Sequence, residues 1–188
     1  MSKNKIKPGV YLYPMPVTIV GANIKDKPNF MTIAWVGIVE YDPPMISISA
    51  SQSHYTNQGI IENETFSVNI PSEEMLVVAD YIGIKSGKEI DKSGIFEVFY
   101  GSLSTAPMIR KTPINLECKL FKSLATERGH DIFIGEIVNA YCEEQFLTNG
   151  LPDISKFHPV VFTMNDNNYW SIGKHLGRAW SVGKKLIY

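Results

Sequence analysis

The sequence contains few of the residues on which several classes of protein depend. It has only two cysteines, Cys118 and Cys142, and they lie 24 positions apart. That number and spacing exclude a disulfide framework, a Cys-x-x-Cys redox motif and a cysteine-based zinc site, and they favour a reducing, cytoplasmic location. No apolar run is long enough for a transmembrane helix or for the core of a signal peptide, so no membrane association is expected.

Positive charge is also scarce for a chain of 188 residues. Lys and Arg together number 18 against 19 Asp and Glu, and only three of these cations are arginines. Proteins that bind nucleic acids rely on many Lys and Arg contacts to phosphate, so no nucleic-acid partner is expected. Hydrophobic residues make up 44% of the chain. This length and composition are sufficient for one well-buried core, and a single domain over residues 1–188 is predicted.

Glycines and prolines divide the chain into short segments rich in β-branched and aromatic residues, which is typical of strands. Apolar side chains alternate with serines from Ile46 to Ser51, and a similar alternation runs from Ile114 to Leu120. Alternation of this kind indicates a strand with one buried face. The predicted strands are residues 17–24, 30–39, 45–51, 66–70, 95–100, 114–121, 131–141 and 160–164.

Two segments have the pattern of helices. The first begins near Ser53 or His54 and runs to Ile61. The second follows Ser72, a predicted N-cap, and it is expected to end at Gly83. Many strands, few helices and no regular alternation of the two predict a mainly β protein, an antiparallel barrel with peripheral helices.

Polar residues suited to a binding site occur at the ends of these elements. In the segment from Asn29 to Trp35, Thr32 and the strand backbone could face a planar ligand, although an ordinary core strand has the same pattern. From Ser49 to Asn57, a strand ends in hydroxyl-bearing residues where a helix begins. Helix starts expose unpaired N–H groups and attract phosphate, but a serine-rich helix cap would have the same composition.

Two further clusters lie later in the chain. The segment from Gly83 to Lys92 contains lysines and the pair Ser86-Gly87, and it is interpreted either as a solvated loop or as a cationic cover over an anionic ligand. It lacks the leading glycine and the strand-to-helix context of a P-loop. The fourth cluster is His130 beside Asp131, a carboxylate that could raise the pKa of the histidine, although a lone histidine is more often structural.

Taken in order, the four clusters resemble the flavin reductase-like family, and its flavoredoxin branch most of all. The family often has Gly-Asp-His before the late strand, where this chain has Gly129-His130-Asp131. The resemblance runs from about residue 14 to residue 173. The shared motifs are Asn29 with Met31-Thr32-Ile33-Ala34-Trp35, Pro43-Pro44 before Ile46-Ser47-Ile48-Ser49, His54-Tyr55-Thr56, Phe66-Ser67-Val68-Asn69-Ile70-Pro71, Ser86-Gly87 with Asp91-Lys92, and Gly129-His130 before Ile134-Gly135-Glu136.

The resemblance implies a split β-barrel that binds FMN, and a homodimer with a flavin near the subunit interface. It implies that His130 approaches the flavin from another strand and that Phe162 or Tyr169 packs on the ring. It also groups the remaining site residues by the part of FMN that they contact: Asn29, Thr32, Ala34 and Trp35 at the isoalloxazine, Ser49, Ser51 and Thr56 at the ribityl phosphate, and Ser86, Gly87 and Lys92 in a covering loop.

The function that this resemblance implies is an FMN-dependent oxidoreductase. Electrons would come from a reduced nicotinamide or a redox protein and pass to a flavin or another acceptor. The cofactor carries this chemistry, so the protein needs no nucleophile; Lys92 or protonated His130 would stabilise the reduced ring. Two alternatives stay open: an electron carrier of the flavoredoxin type with a protein partner, and a flavin-free binding module with the same barrel.

Overall fold

The computed structural model describes residues 1–186, and antiparallel strands dominate it. The strands are β1 (Met15–Pro16), β2 (Thr18–Ile24), β3 (Lys27–Ile33), β4 (Val36–Tyr41), β5 (Pro44–Ser51), β6 (Thr65–Ile70), β7 (Val98–Phe99), β8 (Met108–Ile109), β9 (Ile114–Ala125), β10 (His130–Cys142), β11 (Leu147–Thr148), β12 (Leu151–Pro152), β13 (Val161–Thr163) and β14 (Asn168–Trp170). The α-helices are α1 (Thr56–Asn63), α2 (Leu76–Ile84) and α3 (Ile154–Phe157).

Seven of the strands form one sheet in the order β3-β2-β6-β9-β10-β5-β4. Its two edge strands, β3 and β4, are consecutive in the chain and are joined by only Ala34 and Trp35. So short a connection requires the sheet to curl until its edges lie near each other. The sheet is therefore a barrel that is open at one seam, which confirms the predicted mainly β split barrel.

The barrel interior is filled by side chains from every part of the large sheet and by one residue of α1, Ile60. Phe66, Cys118 and Phe133 are completely buried there. Burial also raises the pKa of the Cys118 thiol. A second apolar cluster lies outside the barrel, where Ala79 and Ile82 of α2 pack against Phe30 of β3. The two clusters fix both helices relative to β3.

Four predictions about local structure are wrong in detail. Residues 30–39 do not form one strand, because the chain leaves one sheet edge at Ile33 and joins the other at Val36. The strand predicted at 95–100 contracts to β7. The Ser72 side chain makes no capping hydrogen bond; it precedes a 3₁₀ turn, and α2 begins only at Leu76. Gly83 does not end this helix, which continues to Ile84.

Two negative findings hold for residues 1–186. No helix in that part of the chain is both long and apolar enough to cross a membrane. No group of three or more His, Cys, Asp or Glu side chains within it is placed to hold a metal ion.

Candidate cofactor site

The seam of the barrel brings four of the predicted site residues together. Ser49 of β5 donates its backbone N–H to the Trp35 carbonyl oxygen at 2.9 Å. The Trp35 ring stacks on the His130 ring with a centroid distance of 5.0 Å and an interplanar angle of 22°. Ala34, Trp35 and Ser49 also line an apolar concavity of about 550 Å³ at the seam. The break between β3 and β4 thus exposes these residues to a ligand.

A second concavity, of about 280 Å³, lies where α1 begins, and we call it the anion pocket. Five of the predicted residues line it. Its described lining residues include two lysines and no aspartate or glutamate. Ser53 and His54 contribute to the same wall. The predicted residues in this pocket are Thr32, Thr56, Ser86, Gly87 and Lys92.

Asn29 is bonded to Thr56, one of the residues that line the anion pocket. It is buried, and its Nδ2 donates to Thr56 Oγ1 at 2.8 Å. A methyl group at Gly87 would lie 2.4 Å from Asn29 Oδ1 and 2.7 Å from the Tyr55 ring. The loop that carries Ser86 and Gly87 can therefore lie directly on Asn29 and Tyr55 only because residue 87 lacks a side chain.

Lys92 is buried and does not lie exposed in a covering loop. It is 3% exposed, and its Nζ donates to the carbonyl oxygens of Phe30 at 2.9 Å and Ile82 at 2.8 Å. Burial lowers the pKa of Lys92 to about 8. The side chain thus connects β3 with α2 and leaves one ammonium proton beyond the two that these carbonyls accept.

His54 is a pocket residue that the set of predicted ligands left out. Its Nδ1 atom is buried and has no hydrogen-bond partner among the described residues. Burial, together with the nearby positive charges of His130 and Lys92, lowers the pKa of His54. The motif His54-Tyr55-Thr56 was the available signal, but its position before a helix does not reveal that a ring nitrogen is left unpaired.

Ser51 and His130 lie beside the anion pocket on paired positions of β5 and β10. The hydroxyl oxygens of Ser51 and Ser53 are 2.8 Å apart, which connects Ser51 to the pocket wall. The Asp131 carboxylate does not interact with the His130 imidazole as expected. Its carboxylate accepts a bond from Gln52 at 2.9 Å, while the imidazole stacks on Trp35, because consecutive strand residues point to opposite faces.

Phe162 and Tyr169 face each other across the β13–β14 hairpin, with ring centroids 5.4 Å apart. Both line a third concavity of about 350 Å³, which we call the Asp80 pocket. Thr32 and Ala34 form part of its wall. Tyr169 donates its hydroxyl to Asp80 Oδ1 at 2.7 Å. Burial and this carboxylate raise the pKa of Tyr169 to about 12.

These concavities adjoin one another along β3 and the seam. The anion pocket and the Asp80 pocket share Thr32, Gly83 and Ile84, and the Asp80 pocket shares Ala34 with the concavity at the seam. The sheet therefore brings the predicted site residues into one continuous region, with a cationic, hydroxyl-bearing end at α1 and an apolar, aromatic end at the seam.

Comparison with known proteins places this arrangement in a family. A family model described as the flavin reductase like domain matches residues 10–163. The chain belongs to the flavin reductase-like family. The matched range contains the seam, the anion pocket, Asp80 and Phe162.

Individual relatives of this family resemble the chain over most of its length. A flavoredoxin from Methanosarcina acetivorans is 49% identical and superposes with a TM-score of 0.96, covering 100% of both chains. A flavoredoxin of Desulfovibrio vulgaris (Miyazaki F) is 35% identical with a TM-score of 0.90, covering 97% of this chain and 100% of the other. An uncharacterized protein of Archaeoglobus fulgidus is 30% identical over 77% of this chain and 81% of its own length.

Proposed function

We propose that the protein binds FMN and works as an oxidoreductase, taking electrons from a reduced nicotinamide or a redox protein and passing them to a flavin or another acceptor. The observation that carries this proposal is the anion pocket. There, buried Lys92 lies beside the hydroxyls of Ser53 and Thr56 and beside His54 Nδ1, which has no hydrogen-bond partner within residues 1–186. A phosphate group fits these residues in charge and in hydrogen bonding.

The electrostatics of the pocket support a phosphate more than a neutral group. Lys92 is buried, and the described pocket wall holds no carboxylate to neutralise it. Burying a cation without a nearby anion costs free energy, and a bound dianion offsets that cost. FMN is thereby favoured over riboflavin, whose uncharged ribityl end leaves the cation unmatched.

The other end of the region suits the flavin ring. In this proposal Thr32, Ala34 and Trp35 lie along the ring, Ser49 and Ser51 contact the chain that links the ring to the phosphate, and Phe162 supplies an aromatic wall. Ser86 and Gly87 close the phosphate end over Asn29. Planar rings pack favourably against such apolar and aromatic surfaces.

FMN supplies the transfer of hydride or single electrons when it is bound. The protein binds and orients the cofactor and sets the charge around it. His130 stacks on Trp35 at the ring end, and when it is protonated its positive charge favours the more electron-rich reduced state of the ring. Lys92 lies at the phosphate end of the region. Neither role requires a protein nucleophile.

An electron carrier of the flavoredoxin type is the second candidate, because the two flavoredoxins described above are 49% and 35% identical to this chain. Rapid-mixing absorbance measurements separate the candidates. Rapid bleaching of bound FMN by NADH or NADPH supports the reductase. Reduction only by a redox protein supports the carrier, and failure to bind FMN refutes both in favour of a flavin-free module.

We also propose that two copies of the chain assemble around the site. The edge strand β4 leaves Ile38 72% exposed and Tyr41 90% exposed, although both are large apolar residues. Val39, which lies between them in the strand, is exposed as well. An exposed edge strand with apolar side chains can pair with a strand of another chain. A second copy of this chain is the partner expected for this family.

A further inference from the structure

The Asp80 pocket differs in charge from the rest of the site. Asp80 is the only charged residue among its described lining residues, whereas the neighbouring anion pocket has two lysines and no carboxylate. The two pockets nevertheless share the stretch of wall at Thr32 and Gly83. One continuous region thus has a cationic compartment and an anionic compartment side by side.

The carboxylate of Asp80 is held in a fixed position. The Tyr169 hydroxyl donates to Asp80 Oδ1 at 2.7 Å, and the Tyr169 ring packs against the Phe162 ring. Since a carboxylate has about four acceptor sites, this single bond leaves capacity for a ligand. The remaining wall is largely apolar, with Val17, Ala34 and Ile84 beside the two rings.

A pocket with aromatic walls and one carboxylate selects its ligand by charge. A planar ring packs against Phe162 and Tyr169, and an N–H or O–H group on that ring donates to Asp80. An anionic ligand meets like charge in a partly buried site, which costs binding free energy.

We propose that the Asp80 pocket binds the small-molecule reaction partner of the cofactor, an uncharged planar aromatic compound that carries an N–H or O–H donor, and that Asp80 excludes carboxylate-bearing aromatics. This proposal rests on the proposed FMN function, because the ligand can react with the cofactor only if FMN is bound. Thr32 and Ala34, which line this pocket, are also the residues proposed along the flavin ring, so a ligand here lies next to that ring.

Benzamide and benzoate test this charge selection, because they have nearly the same size and shape and differ in charge. Their dissociation constants are measured by NMR titration of ¹⁵N-labelled protein, with and without saturating FMN. For the wild-type protein with FMN, benzamide is expected to bind about tenfold or more tightly than benzoate, since one unfavourable like-charge contact exceeds about 1.4 kcal/mol. The affected amides should lie near Thr32, Asp80 and Tyr169.

The variant Asp80→Asn should reduce the ratio of the two dissociation constants to about one, because the charge is lost at nearly constant shape. Glu74→Gln is the matched control: it removes the same charge from an exposed residue six positions earlier, and it should leave the ratio unchanged. Phe162→Ala should weaken both probes by similar factors. The affinity for FMN should stay within about twofold in Asp80→Asn, since Asp80 does not line the anion pocket.

Three results would overturn the proposal: equal affinities for the two probes in the wild-type protein, a ratio that Asp80→Asn leaves unchanged, or competition between benzamide and FMN, which would make the pocket part of the flavin site. The first of these needs no variant, so poor folding of Asp80→Asn would not protect the proposal. Failure of FMN to bind refutes the proposed function instead, and that result is obtained separately in the FMN titration.

Discussion

Glu117 is a completely buried carboxylate on β9. Its oxygens accept bonds from the Leu103 N–H at 2.6 Å, from Asn139 Nδ2 at 2.7 Å and from the Ser102 hydroxyl at 3.2 Å. Burial alone would raise the pKa of Glu117, but these donors outweigh burial and lower it. The carboxylate therefore fastens the segment that carries Ser102 and Leu103 to the sheet.

Replacing this residue, Glu117→Gln, should destabilise the protein by about 1–3 kcal/mol at pH 7, because an amide nitrogen then faces the donors that the carboxylate satisfied. The free energy of unfolding, measured with urea, reports the loss. In the wild-type protein the contribution of Glu117 is present above the unfolded pKa of about 4.3 and disappears as the pH falls through the lower folded pKa. The free energy of unfolding of the variant should fall less steeply at acid pH than that of the wild-type protein. The same acid dependence in both proteins would contradict this role of Glu117.

In the proposed site, Lys92 should make the affinity for FMN depend on pH. Its pKa of about 8 in the free protein means that it loses its charge just above neutral pH. Because a bound phosphate favours the protonated amine, FMN should bind progressively more weakly above pH 8, by up to about tenfold per pH unit. Fluorescence titrations between pH 7 and pH 10 measure this, with riboflavin as the control that should show no such decline. A flat FMN profile would remove Lys92 from the phosphate site.

At the scale of elements, the sequence predicted the strands with one buried face most accurately. The alternation from Ile46 to Ser51 corresponds to β5, in which Ile46, Ile48 and Ala50 are buried. The break at Ala34 and Trp35 was not predictable, because the segment from Phe30 to Val39 is continuously rich in strand-forming residues. Only the closure of the sheet requires the chain to change edges there.

Long-range packing also explains what the sequence did not predict about the site. Asn115 and Glu117 on β9 are buried even though they are polar, because Asn115 donates to Asn69 Oδ1 on β6 and Glu117 accepts from the Leu103 N–H in the loop before β8. Likewise, Lys92 lay in a segment interpreted as either a solvated loop or a cationic cover, whereas the structure buries it between β3 and α2. The predicted residues do gather in one region, but no local pattern reveals which of their atoms already have partners.

The position of α1 against β2 depends on one glycine. A methyl group at Gly59 would lie 2.2 Å from the Asn23 carbonyl oxygen, so Gly59→Ala must push the helix away from the strand. The expected loss is about 1–3 kcal/mol of unfolding free energy, with weaker FMN binding because α1 begins at the anion pocket. Gly94→Ala is the control, since a methyl group there meets nothing within 4 Å. Equal stability of the two variants would contradict this account of the helix position.

At the scale of the whole molecule, the apolar edge strand β4 predicts a dimer. The double variant Ile38→Ser with Tyr41→Ser should raise the dimer dissociation constant by about tenfold or more, since each side chain loses roughly 1.5–3 kcal/mol of burial. Sedimentation equilibrium measures the constant. Ile154→Ser, which changes an exposed apolar residue on α3, serves as the control. A wild-type protein that stays monomeric at high concentration would refute the prediction.

In the proposed function a cofactor phosphate binds where α1 begins, and a comparison of FMN with riboflavin measures the contribution of that phosphate. Both share the ring and the ribityl chain, so their dissociation constants differ through the phosphate alone. Titration of the purified protein, followed by quenching of flavin fluorescence, should show FMN binding about 100-fold or more tightly, as expected for two or more charge-assisted bonds. Equal affinities, or no binding of FMN, would contradict the account.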